Sequence, residues 1–171
     1  MPLAQAGADV TTAATPLGMA KFDGIVTDIL PLLGGNIGGS LGETAGWVLI
    51  LAGLWMGFRR LFDWRLPLAT LLTVAAFSGI MHLTDPAAYP GPQFMLLSGG
   101  LLFGAVFMVT DPVTTPITTR GAWIFGLGVG LLVVLIRLWG GLPEGVMYAI
   151  LLMNSVTPLI NRYTKPRRFG G

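Results

Sequence analysis

Five long apolar runs govern what this chain can fold into: residues 41–58, 66–83, 93–109, 122–139 and 145–160. Each is close to the ~20 residues that span ~30 Å of hydrocarbon at 1.5 Å per residue. They are too long for strands and show no period-2 alternation. The expected fold is therefore an all-α membrane protein with five transmembrane helices. Charge agrees with this: 11% of the 171 residues are charged, whereas a soluble domain carries roughly a quarter.

The ends of the runs are marked chemically. Ser40 and Glu43 have capping-box spacing, in which each side chain accepts a backbone N–H of the other residue. Thr84-Asp85-Pro86 and Thr110-Asp111-Pro112 follow the second and third runs. A residue before proline resists the α conformation, so both helices are expected to stop there. Eight of the ten Lys and Arg residues fall at one set of ends: Arg59, Arg60 and Arg65, then Arg120, then Arg162, Lys165, Arg167 and Arg168. Cationic loops stay in the cytoplasm, which puts the C-terminus there and the N-terminal arm outside.

The chain then divides into an extracytoplasmic arm (1–23), a glycine-rich segment (24–40), a five-helix membrane domain (41–160) and a basic cytoplasmic tail (161–171). The apolar piece at 25–33 is too short to cross, and Gly34, Gly35, Gly38, Gly39 and Gly42 follow it. Two readings remain open: a re-entrant segment, which needs protein or a water-lined cavity around its irregular backbone, or a surface amphipathic piece with a flexible linker.

Several chemistries are excluded. With no cysteine there is no disulfide and no thiolate-bound zinc or iron–sulfur cluster, and one histidine cannot make a histidine-rich metal site. The net charge of +2 comes from cations beside apolar spans, which is a topology signal and not a nucleic-acid footprint. No phosphate-cradling glycine loop or nucleophile elbow occurs. MPLAQAGADV has neither the basic start nor the apolar core of a secretory signal.

Within the arm, DVTTAATPL sets three threonine hydroxyls among small residues. Read alone, this is a linker. Together with GGNIGGSLGETAG, FDWRLP, FMVTDPVTTPITTRG and LLMNSVTPLINRYTKPRRFG, however, it resembles RnfD, a membrane component of the Rnf electron-transport complex. A more distant similarity is to NqrB, of the sodium-translocating NADH:quinone reductase. The resemblance covers nearly the whole chain but only the C-terminal half of such a protein, the second of two five-span repeats.

That resemblance implies a threonine carrying FMN through a phosphoester. Asp9, Thr12, Ala13, Ala14 and Thr15 match the family motif, with Ala13 in place of its usual glycine, and Thr15 is the implied carrier. It further implies a bacterial inner-membrane subunit of an ion-translocating ferredoxin:NAD oxidoreductase, with no turnover alone. Riboflavin or a second flavin is an expectation for the complete subunit. The implied partners are the other Rnf membrane subunits, the extracytoplasmic covalent-FMN protein RnfG, an FAD-dependent FMN transferase and the bilayer. The rival reading from another class is a channel or transporter without cofactor, because glycine breaks also suit a pore.

Other polar residues carry expectations of their own. Pro16 should hold Thr15 extended and stop a helix from running through it. Glu43 is a cap, with ion coupling as its functional alternative. His82 reads as a satisfied interfacial histidine, with a proton relay as the alternative. Arg137 is expected to snorkel outward, the alternatives being a flavin phosphate or Glu144. Asp111 and Arg120 bracket a capped loop or a subunit contact, and most tryptophans anchor span ends.

Overall fold

The computed structural model describes residues 15–35, 37–39 and 46–165. Asp9, Thr12, Ala13, Ala14, Ser40, Glu43, Arg167 and Arg168 lie outside the described residues. All regular structure among the described residues is helical. In chain order these elements are α1 (Pro16–Gly18, continued by a π-helical turn Met19–Asp23), α2 (Ile29–Gly34), α3 (Gly46–Phe58), α4 (Arg65–Thr84), α5 (Pro92–Leu97), α6 (Leu101–Phe103, continued by a π-helical turn Gly104–Met108), α7 (Thr119–Trp139) and α8 (Val146–Thr164). Among them, α4 and α7 are long and apolar enough to cross a membrane.

The stop signals act as expected. α4 ends at Thr84, and Asp85 before Pro86 is extended at φ −149°, ψ 93°. Asp111 folds its own turn back by accepting the Val113 N–H at 3.2 Å and the Thr114 hydroxyl at 3.1 Å. The 110–118 loop is tied to the end of α8 where Asn161 Oδ1 accepts the Ile117 N–H at 3.0 Å.

α4, α7 and α8 form the centre, around Val74, Phe125, Val129, Val133 and Ala149, all fully buried. Glycine sets how closely α4 and α7 approach. A Cβ at Gly126 would stand 2.9 Å from the Leu66 carbonyl, and one at Gly130 would stand 2.7 Å from that of Thr70. Small residues at such interfaces let two backbones come within direct contact. Three buried hydroxyls are satisfied within their own helices: Thr70 donates to Leu66 O at 3.0 Å, Ser78 to Val74 O at 2.6 Å and Thr157 to Met153 O at 3.1 Å.

The third apolar run departs from expectation. It is two short helical pieces, α5 and α6 with its π turn, separated by an irregular step at 98–100. Ser98 is extended (φ −91°, ψ 146°) and Gly99 is left-handed at φ +67°. That φ is one side chains rarely adopt, and a Cβ at Gly99 would overlap the Glu144 carboxylate. The 24–40 segment is represented by α2, whose Leu32 is fully buried, and by a mostly exposed stretch without regular structure before it.

Candidate functional site

The arm, the end of α7 and the break in the third run meet at one end of the bundle. Thr15 is extended (φ −70°, ψ 150°), and the helix begins at Pro16. This is the geometry that a proline at the first helical position favours. Thr15 Oγ1 accepts the Gly18 N–H at 3.2 Å, a side-chain cap. Its hydroxyl hydrogen has no acceptor among the described residues. A Cβ at Gly18 would stand 3.3 Å from that oxygen, so glycine keeps the hydroxyl uncrowded. Leu17, two residues after Thr15, is buried and holds the arm down.

Lys21 makes the next attachment. Its Nζ donates to the carbonyl oxygens of Arg137 at 2.9 Å, Gly140 at 2.5 Å and Leu142 at 2.8 Å, and more weakly to Ile136 at 3.3 Å. These carbonyls lie where α7 runs out of intrahelical donors, so a cation there meets both lone pairs and the negative helix end. Burial lowers the Lys21 pKa below its ordinary 10.5. The surrounding carbonyls offset part of that cost.

From the same turn of α7, Arg137 points inward. It is 4% exposed, and its Nη1 donates to Met95 O at 2.6 Å. Nη2 donates to Ser98 O and to Glu144 Oε1, both at 3.1 Å. Glu144 Oε2 in turn accepts the Gly100 N–H at 3.1 Å. The snorkelling expected of Arg137 is therefore overturned. The broken run leaves carbonyls without helical donors, and these, with Glu144, draw the guanidinium in. Arg137 Nε and Ser98 Oγ are buried without a protein partner among the described residues.

One continuous set of bonds thus links the arm to the break: Lys21 to the α7 end, Arg137 to Met95 and Ser98, and Glu144 to Gly100. Beside it lies a cavity of about 140 Å³ lined by Leu17, Ala20, Lys21, Tyr89, Arg137 and Pro143, among others. His82 Nδ1 lies 2.8 Å from Tyr89 O, the satisfied histidine expected. Trp139 packs at 6.2 Å from Phe77 and 6.3 Å from Tyr89, measured between ring centroids.

Of the residues singled out from sequence, the structure places Thr15 within six residues of Lys21, the anchoring cation. Asp9, Thr12, Ala13, Ala14 and Glu43 lie outside the described residues. No group of three or more metal-ligating side chains occurs among those described. Sequence reasoning missed Lys21 as an anchor, although it is the single cation in the first 58 residues. It also missed the break, which Ser98-Gly99-Gly100 marks.

Comparison with known proteins decides the family. A model of the NQR2, RnfD, RnfE family matches residues 2–170. The chain belongs to this family. The D subunit of an ion-translocating oxidoreductase complex from Stutzerimonas stutzeri is 49% identical over 142 residues, covering 83% of this chain and 40% of that protein. The D subunit of a proton-translocating ferredoxin:NAD(+) oxidoreductase complex from Clostridium ljungdahlii is 42% identical, covering 98% of this chain and 54% of that one. The Acetobacterium woodii counterpart, named for a Na(+)-translocating complex, is 40% identical, with 95% and 50% covered. The chain spans about half the length of these curated family members.

Proposed function

We propose that the chain is the flavin-bearing part of a membrane subunit of an ion-translocating ferredoxin:NAD oxidoreductase, crossing the bacterial inner membrane five times with its arm outside. FMN is carried on Thr15 through a phosphoester. The observation that carries this reading is the state of the Thr15 hydroxyl. Its oxygen is engaged by the Gly18 N–H at 3.2 Å, its hydrogen has no acceptor among the described residues, and glycine leaves space around it. Esterification replaces only the hydrogen, so the oxygen can keep its cap.

In the attachment step Thr15 Oγ1 attacks the phosphorus of FAD that bears the riboflavin. The Oγ1–P bond forms, the P–O bond to AMP breaks, and AMP leaves. The hydroxyl proton passes to a base of the transferase. Pro16 fixes the backbone of the nucleophile, and Lys21 and Leu17 hold the loop that carries it. Once bound, the flavin supplies electron acceptance and release in single steps. The chain's own contribution would be to carry that group on a segment that Lys21 anchors to the carbonyls at the α7 end. Relatives named for proton and for sodium translocation share this sequence region, so the coupled ion is a property of each complex.

Denaturing gels under ultraviolet light test the assignment, with the transferase co-expressed. Fluorescence should travel with the chain, persist in Thr12→Ala and vanish in Thr15→Ala. Signal surviving in Thr15→Ala refutes the site. A phosphatase fused before Thr15 should be active outside the cytoplasm, and a cytosolic result refutes the orientation.

A further inference from the structure

The other end of the bundle carries a second feature, independent of the flavin. Between α3 and α4 runs a groove of about 420 Å³ whose lining is apolar and aromatic throughout, including Gly53, Leu54, Gly57, Leu68, Leu71 and Val106. Two glycines make it. A Cβ at Gly53 would stand 2.9 Å from Val106, which sets the floor, and one at Gly57 would meet Phe62 alone, in ordinary contact at 4.0 Å. From Ile50 to Phe58 the α3 side of the groove covers about 12 Å at 1.5 Å per residue. That approaches the ~15 Å of hydrocarbon in one leaflet, half of ~30 Å.

The groove closes at Phe58, Phe62 and Trp64, beside a loop that holds Arg59, Arg60 and Arg65 against a single carboxylate, Asp63. Arg59 stacks over Trp55 at 5.7 Å and Arg65 over Trp64 at 5.4 Å. Arg65 also pairs with Asp63 at 3.4 Å. The Arg60 guanidinium is exposed, and no described residue pairs with it; its backbone is left-handed at φ 53°. Basic groups beside a gap between membrane helices attract phospholipid headgroups, and aromatic rings mark the depth at which such headgroups sit.

We infer that this groove seats one acyl chain of an anionic phospholipid, with its phosphate held by Arg59 and Arg60. The inference rests on the membrane reading of the chain and not on the flavin. A helix from the other half of the longer relatives is the competing occupant.

The test uses the intact membrane complex in phosphatidylcholine nanodiscs doped with phosphatidylglycerol bearing a photoreactive acyl chain. Labelling should map to residues 50–58 and 64–71. Arg59→Gln with Arg60→Gln should lower it about thirtyfold, as two phosphate-facing cations imply, while a phosphatidylcholine probe is unaffected. Gly57→Leu, which fills the groove, should abolish labelling by both probes. The arginine pair lies on an exposed loop, so that arm reads out even where Gly57→Leu fails to fold. The inference is overturned by unlabelled groove residues, which would show that protein covers them. It is equally overturned by equal labelling from the two lipids, or by labelling indifferent to the arginines.

Discussion

The two ends of the bundle use arginine in opposite ways. At the arm end, Arg137 is buried, donating to two carbonyls and one carboxylate. At the basic end, Arg59 and Arg60 are exposed, and Arg65 is half-buried beside Asp63. A buried guanidinium is tolerable here because both of its terminal nitrogens find partners, and removing it strands those partners. An exposed one is screened by solvent and acts on whatever approaches from outside. The difference teaches where the fold stores its specificity: in a broken helix that needs a cation to complete it, not in a count of charges.

The comparison breaks most clearly on Arg137→Leu. Stranding Glu144 and the Met95 and Ser98 carbonyls should cost about 3–5 kcal/mol, read as a lowered thermal midpoint in detergent. Arg60→Gln at the other end should stay within about 0.5 kcal/mol. Equal effects would erase the distinction between the ends.

Next in size is Gly99→Ala, set against its neighbour Gly100→Ala. The first forces a left-handed alanine, costing about 1–2 kcal/mol, and also displaces the Glu144 carboxylate. The second adds a methyl to open space, where reduced freedom of the unfolded chain gives about 0.4–1 kcal/mol of stabilisation. Thermal midpoints moving in opposite directions at adjacent residues would sharpen the assignment of the break.

Lys21→Met should release the arm and leave the bundle intact. Hydrogen exchange in residues 16–24 is expected to rise by the equivalent of about 1.5–3 kcal/mol, typical of hydrogen bonds to a charged group, with α7 unchanged. The smallest effect is on pH dependence. Because burial lowers the Lys21 pKa below 10.5, the native state releases this proton before the unfolded chain does. Between the lowered pKa and 10.5 the unfolded state binds more protons, so this contribution to stability rises with pH. In Lys21→Met that rise should flatten.

Much of this was legible from residues. The second run, expected at 66–83, is the helix Arg65–Thr84, and the fourth, expected at 122–139, is Thr119–Trp139, because apolar length and proline stops are local signals. The extended backbone expected of Thr15 before Pro16 is observed, whereas the helix that begins at Pro16 was not read. The break at 98–100 was not read, since LLSGGLLF is apolar enough on both sides to count as one span. Its irregular backbone persists because Arg137 and Glu144, 37 and 44 residues beyond Gly100, complete its hydrogen bonds. The inward turn of Arg137 was hidden for the same reason: its partners exist only once the third run has broken.

The account rests on a flavin ester at one hydroxyl, and peptide mapping by mass spectrometry reaches it most directly. The chain should be isolated from membranes that contain its transferase and digested to a peptide spanning Thr12 and Thr15. The account predicts a mass increase of one FMN less one water, with fragment ions placing it on Thr15. An unmodified Thr15 in chain that is otherwise folded and assembled, or the same mass placed on Thr12, would contradict it.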